Sequence, residues 1–156
     1  MNMSAIKFTT PTLQTPWGIP TLDYTPDDIK ELRENEVFVY GDNLAHRHGA
    51  GAAKHALKFG AMHGLGYQVV GQTYGISTKD HTVKHVLSLE DIYKEINYFK
   101  MVAVQNFRKV FLVTKIGCGL ANPHETEEER IAEIAPMFKG SPPNCVFPKE
   151  FEKYLK

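Results

Sequence analysis

Short apolar runs of strand length alternate with segments of helical pattern along most of the chain, and this alternation restricts the possible folds most strongly. The runs VFVYG (37–41), QTYGIST (72–78) and VFLVTKIG (110–117) are rich in β-branched and aromatic residues, and NCVFP (144–148) has the length of a last short strand. Nearly continuous apolar character is typical of parallel strands that are covered on both faces. The pattern therefore predicts an α/β fold, a three-layer sandwich around a central mixed, mostly parallel sheet.

Five helices are predicted around these strands. An N-cap threonine, a first-turn proline and two acids predict a helix over residues 25–35. Residues 50–59 are helical by composition, and a capping-box pattern opens the longest helix over 88–107. Two further helices are predicted over 131–138 and 148–155, the second of which begins at a proline.

The domain organisation follows from length and from the distribution of proline. At 156 residues, the chain has the size of one ordinary domain. Residues 1–24 contain three X-Pro pairs without helical or alternating periodicity, so they predict an extended N-terminal arm. We expect Trp17 of this arm to pack on the body, which is a single domain over residues 25–156.

Composition excludes several classes of function. Lys and Arg total 18, and Asp and Glu total 18, so the chain has no net charge that would attract nucleic acids or acidic membranes. No signal peptide and no apolar run of about 18 residues is apparent. Two cysteines do not make a disulfide framework. We expect a soluble, cytoplasmic protein with reduced thiols and no membrane partner.

Two glycine-bearing loops follow the first and third predicted strands, at the end where α/β proteins bind ligands. In the first glycine loop (42–51) two glycines flank Ala50, and in the second glycine loop (117–123) two glycines flank Cys118. Glycines there let backbone N–H groups approach a phosphate, and the helix N-terminus after the first loop adds positive potential. Together the loops predict a cleft of diphosphate size, whereas either one alone is also typical of a tight turn.

The spacing of the first glycine loop excludes two common nucleotide motifs. The third position after Gly51 is Lys54, so the full Gly-x-Gly-x-x-Gly of dinucleotide-binding proteins is absent. The phosphate loop that ends in Gly-Lys-Ser/Thr is absent as well. Mononucleotide kinase chemistry and ordinary dinucleotide oxidoreductase chemistry are therefore disfavoured.

The two loops and their flanking segments resemble the macrodomain family. VFVYGDNLAHRHGAGAAKHALKFGA (37–61) resembles the macrodomain pattern of a buried strand, an asparagine-bearing loop, a Gly-x-Gly and a helix of small residues. FLVTKIGCGLANPHETEEERIAEIAPMF (111–138) resembles the family's later strand, glycine loop and helix. The chain looks most like a bacterial and phage macro-like group with the signature GxNLxxRHGxGAA, and the resemblance covers roughly residues 26–139.

This resemblance implies a pocket for ADP-ribose or a related nucleotide at the carboxyl edge of the sheet, and cleavage of ADP-ribosyl linkages by some members. It assigns Asn43 to the distal ribose and offers Asp28 as the acid that reads adenine, whereas the residue pattern alone favours a first-turn helix acid at Asp28. Asp42 and the Arg47–His48 pair have no counterpart in the family pattern. The loop residues that the resemblance places around the diphosphate are Gly49, Ala50, Gly51, Gly117, Cys118, Gly119 and Leu120.

Arg47 and His48 suggest chemistry beyond simple enclosure of a ligand. An arginine can hold a phosphate through two hydrogen bonds, and a histidine of near-neutral pKa can exchange a proton with water or a hydroxyl. We therefore expect Arg47 to hold phosphate and His48 or Asp42 to activate water, so that with Asn43 there are three catalytic candidates. The alternative is that these side chains cap carbonyl groups of their own loop.

The remaining candidates carry weaker signals. Thr78 and Lys79, in the loop 78–82, end the second strand at the same edge, so they either contact the ligand or begin an exposed loop. Cys118 fits a small buried residue better than a nucleophile, because no partner histidine can be assigned. We expect the histidines to be solvated, and their spacing predicts no metal site and no cofactor.

We therefore expect a protein that binds ADP-ribose or an ADP-ribosyl group in a cleft between the two glycine loops, with or without hydrolysis of the linkage. An ADP-ribosylated macromolecule is a candidate partner. Two other interpretations stay open: a non-catalytic module that sequesters a nucleotide-derived signal, and a protein-interaction domain whose glycine loops are only structural.

Overall fold

The computed structural model describes residues 11–156, and the prediction of an arm over residues 1–10 lies outside them. The rest of the arm contains a small hairpin, in which strand β1 (Leu13–Gln14) pairs antiparallel with strand β2 (Pro20–Thr21). Trp17 lies between these strands, and its ring centroid is 5.2 Å from that of Phe107. The hairpin therefore contacts the body through Trp17, although this side chain remains 47% exposed.

A parallel sheet forms the centre of the molecule. Its strands are β3 (Glu36–Asn43), β4 (Thr73–Lys79), β5 (Val110–Val113) and β6 (Cys145–Val146), in the spatial order β4, β3, β5, β6. Its three pairings are all parallel, and elsewhere in residues 11–156 antiparallel pairing is limited to the hairpin and two isolated bridges. The predicted α/β class with a mostly parallel sheet is confirmed.

The helices follow the strands in the predicted order. They are α1 (Gly51–Ala56), α2 (Leu89–Gln105), α3 (Glu127–Ile134) and α4 (Glu152–Leu155). Short 3₁₀ turns extend α1 and α3 and precede α4. None of the helices within the described range has both the length and the apolar character that crossing a bilayer requires.

Side-chain caps fix the starts of the two longer helices. Ser88 accepts a hydrogen bond from the backbone N–H of Asp91 at 3.1 Å, as the capping pattern predicts for α2. Thr126 accepts one from the N–H of Glu129 at 3.2 Å, and three acids in the first turn of α3 favour the same helix end. Both helices therefore begin at residues that satisfy otherwise unpaired N–H groups.

Both faces of the sheet are buried, because successive residues of β3 point to opposite sides. Val37 and Val39 join the cluster formed with α2 and α3, whereas Phe38 and Tyr40 join the cluster that contains α1 and the segment of Leu22. Helices α2 and α3 therefore cover one face, and α1 with the N-terminal segment covers the other. This double coverage explains why the strands are nearly continuous in apolar residues.

The helix predicted over residues 25–35 is wrong, because this segment is irregular. Its backbone groups bond to other parts of the chain: the carbonyl of Ile29 accepts from His55 Nε2 at 2.8 Å, and that of Arg33 accepts from Gln72 Nε2 at 2.8 Å. A helix of this length is only marginally stable without tertiary support. The tertiary hydrogen bonds and the burial of Ile29 therefore override the local capping signal.

The side chain of Asn144 bridges the end of α2 and the start of β5 through hydrogen bonds. Its side-chain amide lies within 3.0–3.2 Å of the carbonyl oxygens of Ala103, Asn106 and Lys109, and the residue is fully buried. These carbonyls belong to the helix end and the turn that follows, where those of Ala103 and Asn106 also accept from the backbone N–H groups of Asn106 and Lys109. One polar side chain thus holds the connection between α2 and β5 through its hydrogen bonds to three backbone carbonyls.

We predict that Asn144→Ala lowers the free energy of unfolding by about 1–3 kcal/mol, because it removes the donor of the Lys109 carbonyl and the additional bonds to Ala103 and Asn106. Urea denaturation monitored by circular dichroism measures the change. Asn97→Ala makes the same substitution at an exposed position on α2 and should change stability by less than about 0.5 kcal/mol. Equal effects of the two substitutions would show that the bonds of Asn144 do not stabilise the fold.

Candidate functional site

A cleft of about 580 Å³ opens at the carboxyl ends of β3, β4 and β5. In an open α/β sheet this edge is where strands turn into loops and where ligands bind. The predicted ligand-contacting residues that line the cleft are Asn43, Arg47, Gly49, Ala50, Gly51, Thr78, Lys79, Gly117, Gly119 and Leu120. The structure therefore brings ten of the predicted residues together, from three separate segments of the chain.

Cys118 is the predicted ligand contact that does not line this cleft. Its thiol lies 3.5 Å from the carbonyl oxygen of Ile116 and packs against the core under α2 and α3. Burial raises the pKa of Cys118 to about 11, so the thiol is protonated at neutral pH. Its environment matches the interpretation of a small packing residue.

The two glycine loops touch each other across the cleft. A Cβ atom on Gly51 would lie 3.1 Å from Cδ1 of Leu120, and a Cβ atom on Gly41 would lie 3.6 Å from the backbone nitrogen of Gly117. Gly51 and Gly117 have φ values of +59° and +74°, which favour glycine. Glycine therefore suits these two positions because of their backbone conformation, and the side chain of Leu120 lies against Gly51.

Both loops carry backbone N–H groups that no protein acceptor uses. In the first glycine loop these belong to Gly49, Ala50 and Gly51, and in the second to Gly119 and Leu120, with partners counted over residues 11–156. Unpaired N–H groups that line a concave surface bind anions. Because α1 has only six residues, the individual N–H groups contribute more than a helix dipole does.

The cationic side chains of the cleft differ in what they already bind. Lys115 lies 3.0 Å from both Glu127 and Glu150, and although burial lowers its pKa, these two hydrogen bonds outweigh burial and raise it. Arg47 and Lys79 have no ion-pair partner in the described part of the chain, and both line the cleft. The cleft therefore has positive charge that remains available for an anionic ligand.

The side chain of Asn43 holds the first glycine loop. Its Nδ2 donates to the carbonyl of Arg47 at 2.8 Å, and its Oδ1 accepts from the N–H of Arg47 at 3.1 Å. This pair of bonds closes the chain between the two residues into a tight turn. The amide thus supports the loop, and the side-chain nitrogen keeps one N–H that these bonds do not use.

Asp42 and the nearby histidines form a buried cluster behind the first glycine loop, so the expectation of solvated histidines is wrong for His46 and His48. Asp42 Oδ2 lies 2.8 Å from His46 Nδ1, and Tyr40 Oη lies 3.0 Å from His48 Nε2. The backbone N–H of His48 donates to Nδ1 of His63 at 3.1 Å. The loop after α1 folds back over the cluster and excludes water.

Burial determines the charge state of this cluster. The side chains of Asp42 and His48 are fully buried, and His48 does not line the cleft. Burial lowers the pKa of His48, and the nearby carboxylate of Asp42 opposes this only in part. At neutral pH the imidazole is uncharged, which suits a packed support for the loop.

Several cleft residues were missed by the sequence analysis. They are Ala52, Ala53, Val83, Thr114 and Lys115, whereas Thr82 and Ala121 lie in the predicted pocket loops 78–82 and 117–123. Val83 has a φ of 66°, which is unusual for a β-branched residue. The neighbouring residues in the sequence do not predict this conformation. Thr114 could have been found, because it follows the last residue of β5 directly.

The predicted acid Asp28 lies at a second cavity of about 430 Å³, which it lines together with Asp27. The side chain of Asp28 is 70% exposed and is not part of a helix, so the expectation of a first-turn helix acid is wrong. Gly51, Lys115 and Gly119 line both cavities. The cleft and the second cavity therefore adjoin at the contact between the glycine loops.

Over residues 11–156, no group of three or more His, Cys, Asp or Glu side chains is arranged to hold a metal ion. No family model, curated protein or solved structure matches the chain. The fold and the cleft define an α/β protein with a mostly parallel sheet and a concave site at the carboxyl ends of its strands.

We predict that stability falls as the pH drops below about 6.5, because unfolded His48 takes up a proton that the buried imidazole resists. One such group contributes at most about 1.4 kcal/mol per pH unit. Urea denaturation between pH 7.5 and 5.5 measures the slope, which His48→Gln should reduce. His81→Gln changes an exposed histidine that has no ion-pair partner among residues 11–156, and it should leave the slope unchanged. A wild-type slope in His48→Gln would contradict the assignment.

Proposed function

We propose that the cleft binds ADP-ribose or an ADP-ribosyl group, with the diphosphate between the two glycine loops. The observation that carries this proposal is the contact of the loops across a cleft in which their N–H groups remain unpaired. Arg47 and Lys79 add positive charge along the same surface. A diphosphate supplies the negative charge and the many acceptor oxygens that this arrangement requires.

The shape of the site supports a ligand with two ends. The cleft of about 580 Å³ adjoins the second cavity of about 430 Å³ at the loop contact, so an anionic centre there leaves room on both sides. A free phosphate ion would occupy only the centre, whereas a nucleoside diphosphate sugar extends into both spaces. This is also the ligand implied by the resemblance, and a macro-like form of the α/β sandwich is part of the proposal.

We favour binding over hydrolysis because Asp42 and Asn43, which line the cleft, already hold bonds within the first glycine loop, and His48 does not line the cleft. Asp42 bonds to His46 and is fully buried, His48 lies behind the loop against Tyr40, and Asn43 holds the backbone of Arg47. A general base must reach the proton that it removes, directly or through one water molecule. Catalytic roles for Asn43, Asp42 and His48 stay predictions, and the favoured function is a binding module.

We predict that calorimetric titration detects binding of ADP-ribose and that Arg47→Ala weakens it about tenfold or more, since it removes a charge-assisted hydrogen bond. The matched control is Arg108→Ala, which removes an arginine outside both cavities and should bind like the wild-type protein. The ligand recovered after incubation should be unchanged by chromatography. Absence of binding to the wild-type protein would refute the proposed function.

Gly119→Val tests the location of the site. A Cβ atom on Gly119 meets no heavy atom within 4 Å, so the larger side chain should occupy the cleft without disturbing the fold. We expect the melting temperature to stay close to the wild-type value and ADP-ribose binding to be lost. Wild-type affinity in this variant would place the ligand outside the cleft.

A further inference from the structure

A buried arginine on α3 supports the second glycine loop from below. Arg130 is 2% exposed, and its Nε and Nη2 donate to the carbonyls of Gly117 and Ala121, each at 3.1 Å. These two residues lie at opposite ends of the turn that carries Gly119 and Leu120. One rigid guanidinium therefore sets the distance between the two ends of the turn.

The loop is shaped to fit this guanidinium. Gly117 has a φ of +74°, and a Cβ atom on it would lie 3.4 Å from Nε of Arg130. The third edge of the guanidinium is held as well, because Nη1 donates to Glu133 Oε1 at 3.2 Å. Since α3 carries both Arg130 and Glu133, the helix holds the guanidinium in one orientation.

His124, which follows the turn, contacts the same carboxylate of Glu133 that accepts from Arg130. His124 Nε2 lies 2.5 Å from Glu133 Oε1, and the backbone N–H of His124 donates to Asn122 Oδ1 at 2.9 Å. Burial raises the pKa of Glu133, but the hydrogen bonds from His124 and Arg130 outweigh it and keep the pKa below its ordinary value. Glu133 is therefore a carboxylate at neutral pH and compensates the buried charge of Arg130.

Few other contacts determine the shape of this turn. Two of its residues are glycines, and Leu120 is 68% exposed. Within the turn, backbone bonds run from the N–H of Cys118 to Lys115 and from the N–H of Asn122 to Gly119, at 3.1 and 3.0 Å. The N–H groups of Gly119 and Leu120 make no hydrogen bond within residues 11–156 that would fix their orientation. Contacts from outside the turn must therefore hold the turn in shape.

We propose that Arg130 is a positioning residue for the ligand site: it spans Gly117 and Ala121 and so presets the N–H groups of Gly119 and Leu120 for an anionic ligand. This inference rests on the proposed function. Arg130 does not line the cleft, so it acts through the loop and not through its own charge on the ligand. A lysine has one ammonium on a flexible stem and cannot reproduce two directed bonds and an ion pair.

The experiment compares Arg130→Lys with the wild-type protein in calorimetric titration with ADP-ribose and in amide hydrogen exchange. We expect the affinity to fall about tenfold or more, since preorganisation of the loop is lost. The amides of Cys118 and Asn122 should exchange faster, while the amides of α2 keep wild-type protection. Glu128→Gln changes an exposed acid of the same helix that bonds to neither Arg130 nor His124, and it should match the wild-type protein in both measurements.

Arg130→Ala tests whether the geometry of the guanidinium, and not its charge alone, sets the loop. Added methylguanidinium should restore ADP-ribose affinity by filling the vacated site, and methylammonium at the same concentration should not. Wild-type affinity in a folded Arg130→Lys variant would overturn the positioning role and leave the proposed function intact. Failure of the wild-type protein to bind ADP-ribose would refute the proposed function, and the exchange of Cys118 and Asn122 would then decide alone whether Arg130 holds the loop.

Discussion

The unequal lengths of two neighbouring strands determine where the site can form. Strand β3 pairs with β5 only as far as Val39 and Val113, but it continues beside β4 to Asn43. Residues 40–43 of β3 therefore have no neighbouring strand on the β5 side. The chain after β5 fills part of the space beside residues 40–43, where Gly117 approaches Gly41. The cleft opens next to this contact and is lined by both glycines. The first glycine loop begins at the end of the longer strand β3, and the second follows the shorter strand β5.

Both glycine loops depend on buried polar groups beneath them, but the two supports differ in quality. Under the second glycine loop, Arg130 bonds to two carbonyls and a carboxylate. Under the first, Asp42 Oδ1 and His48 Nδ1 are buried without a hydrogen-bond partner among residues 11–156. Unpaired buried groups cost stability, and they keep a polar network sensitive to protonation. The first loop is therefore supported by a less complete set of hydrogen bonds than the second.

Much of the fold and the outline of the site could be predicted from the sequence, because strands, caps and glycine loops are local patterns. Strands β3, β4 and β5, and the start of α2 after its N-cap Ser88, follow from residues close in the chain. The irregular course of residues 25–35 could not be predicted, since His55 and Gln72 supply its partners. Burial of His46 and His48 and the contacts of Arg130 likewise depend on segments brought together only by folding.

The contact between Trp17 and Phe107 has a spectroscopic consequence. Trp17 is the single tryptophan of the chain, and it lines neither the cleft nor the second cavity. Its fluorescence therefore reports whether the N-terminal hairpin is docked at the end of α2, while circular dichroism reports the sheet and helices. Coincident unfolding curves from the two signals would place the hairpin in the same cooperative unit as the rest of the fold. Separate curves would identify it as an appendage that detaches first.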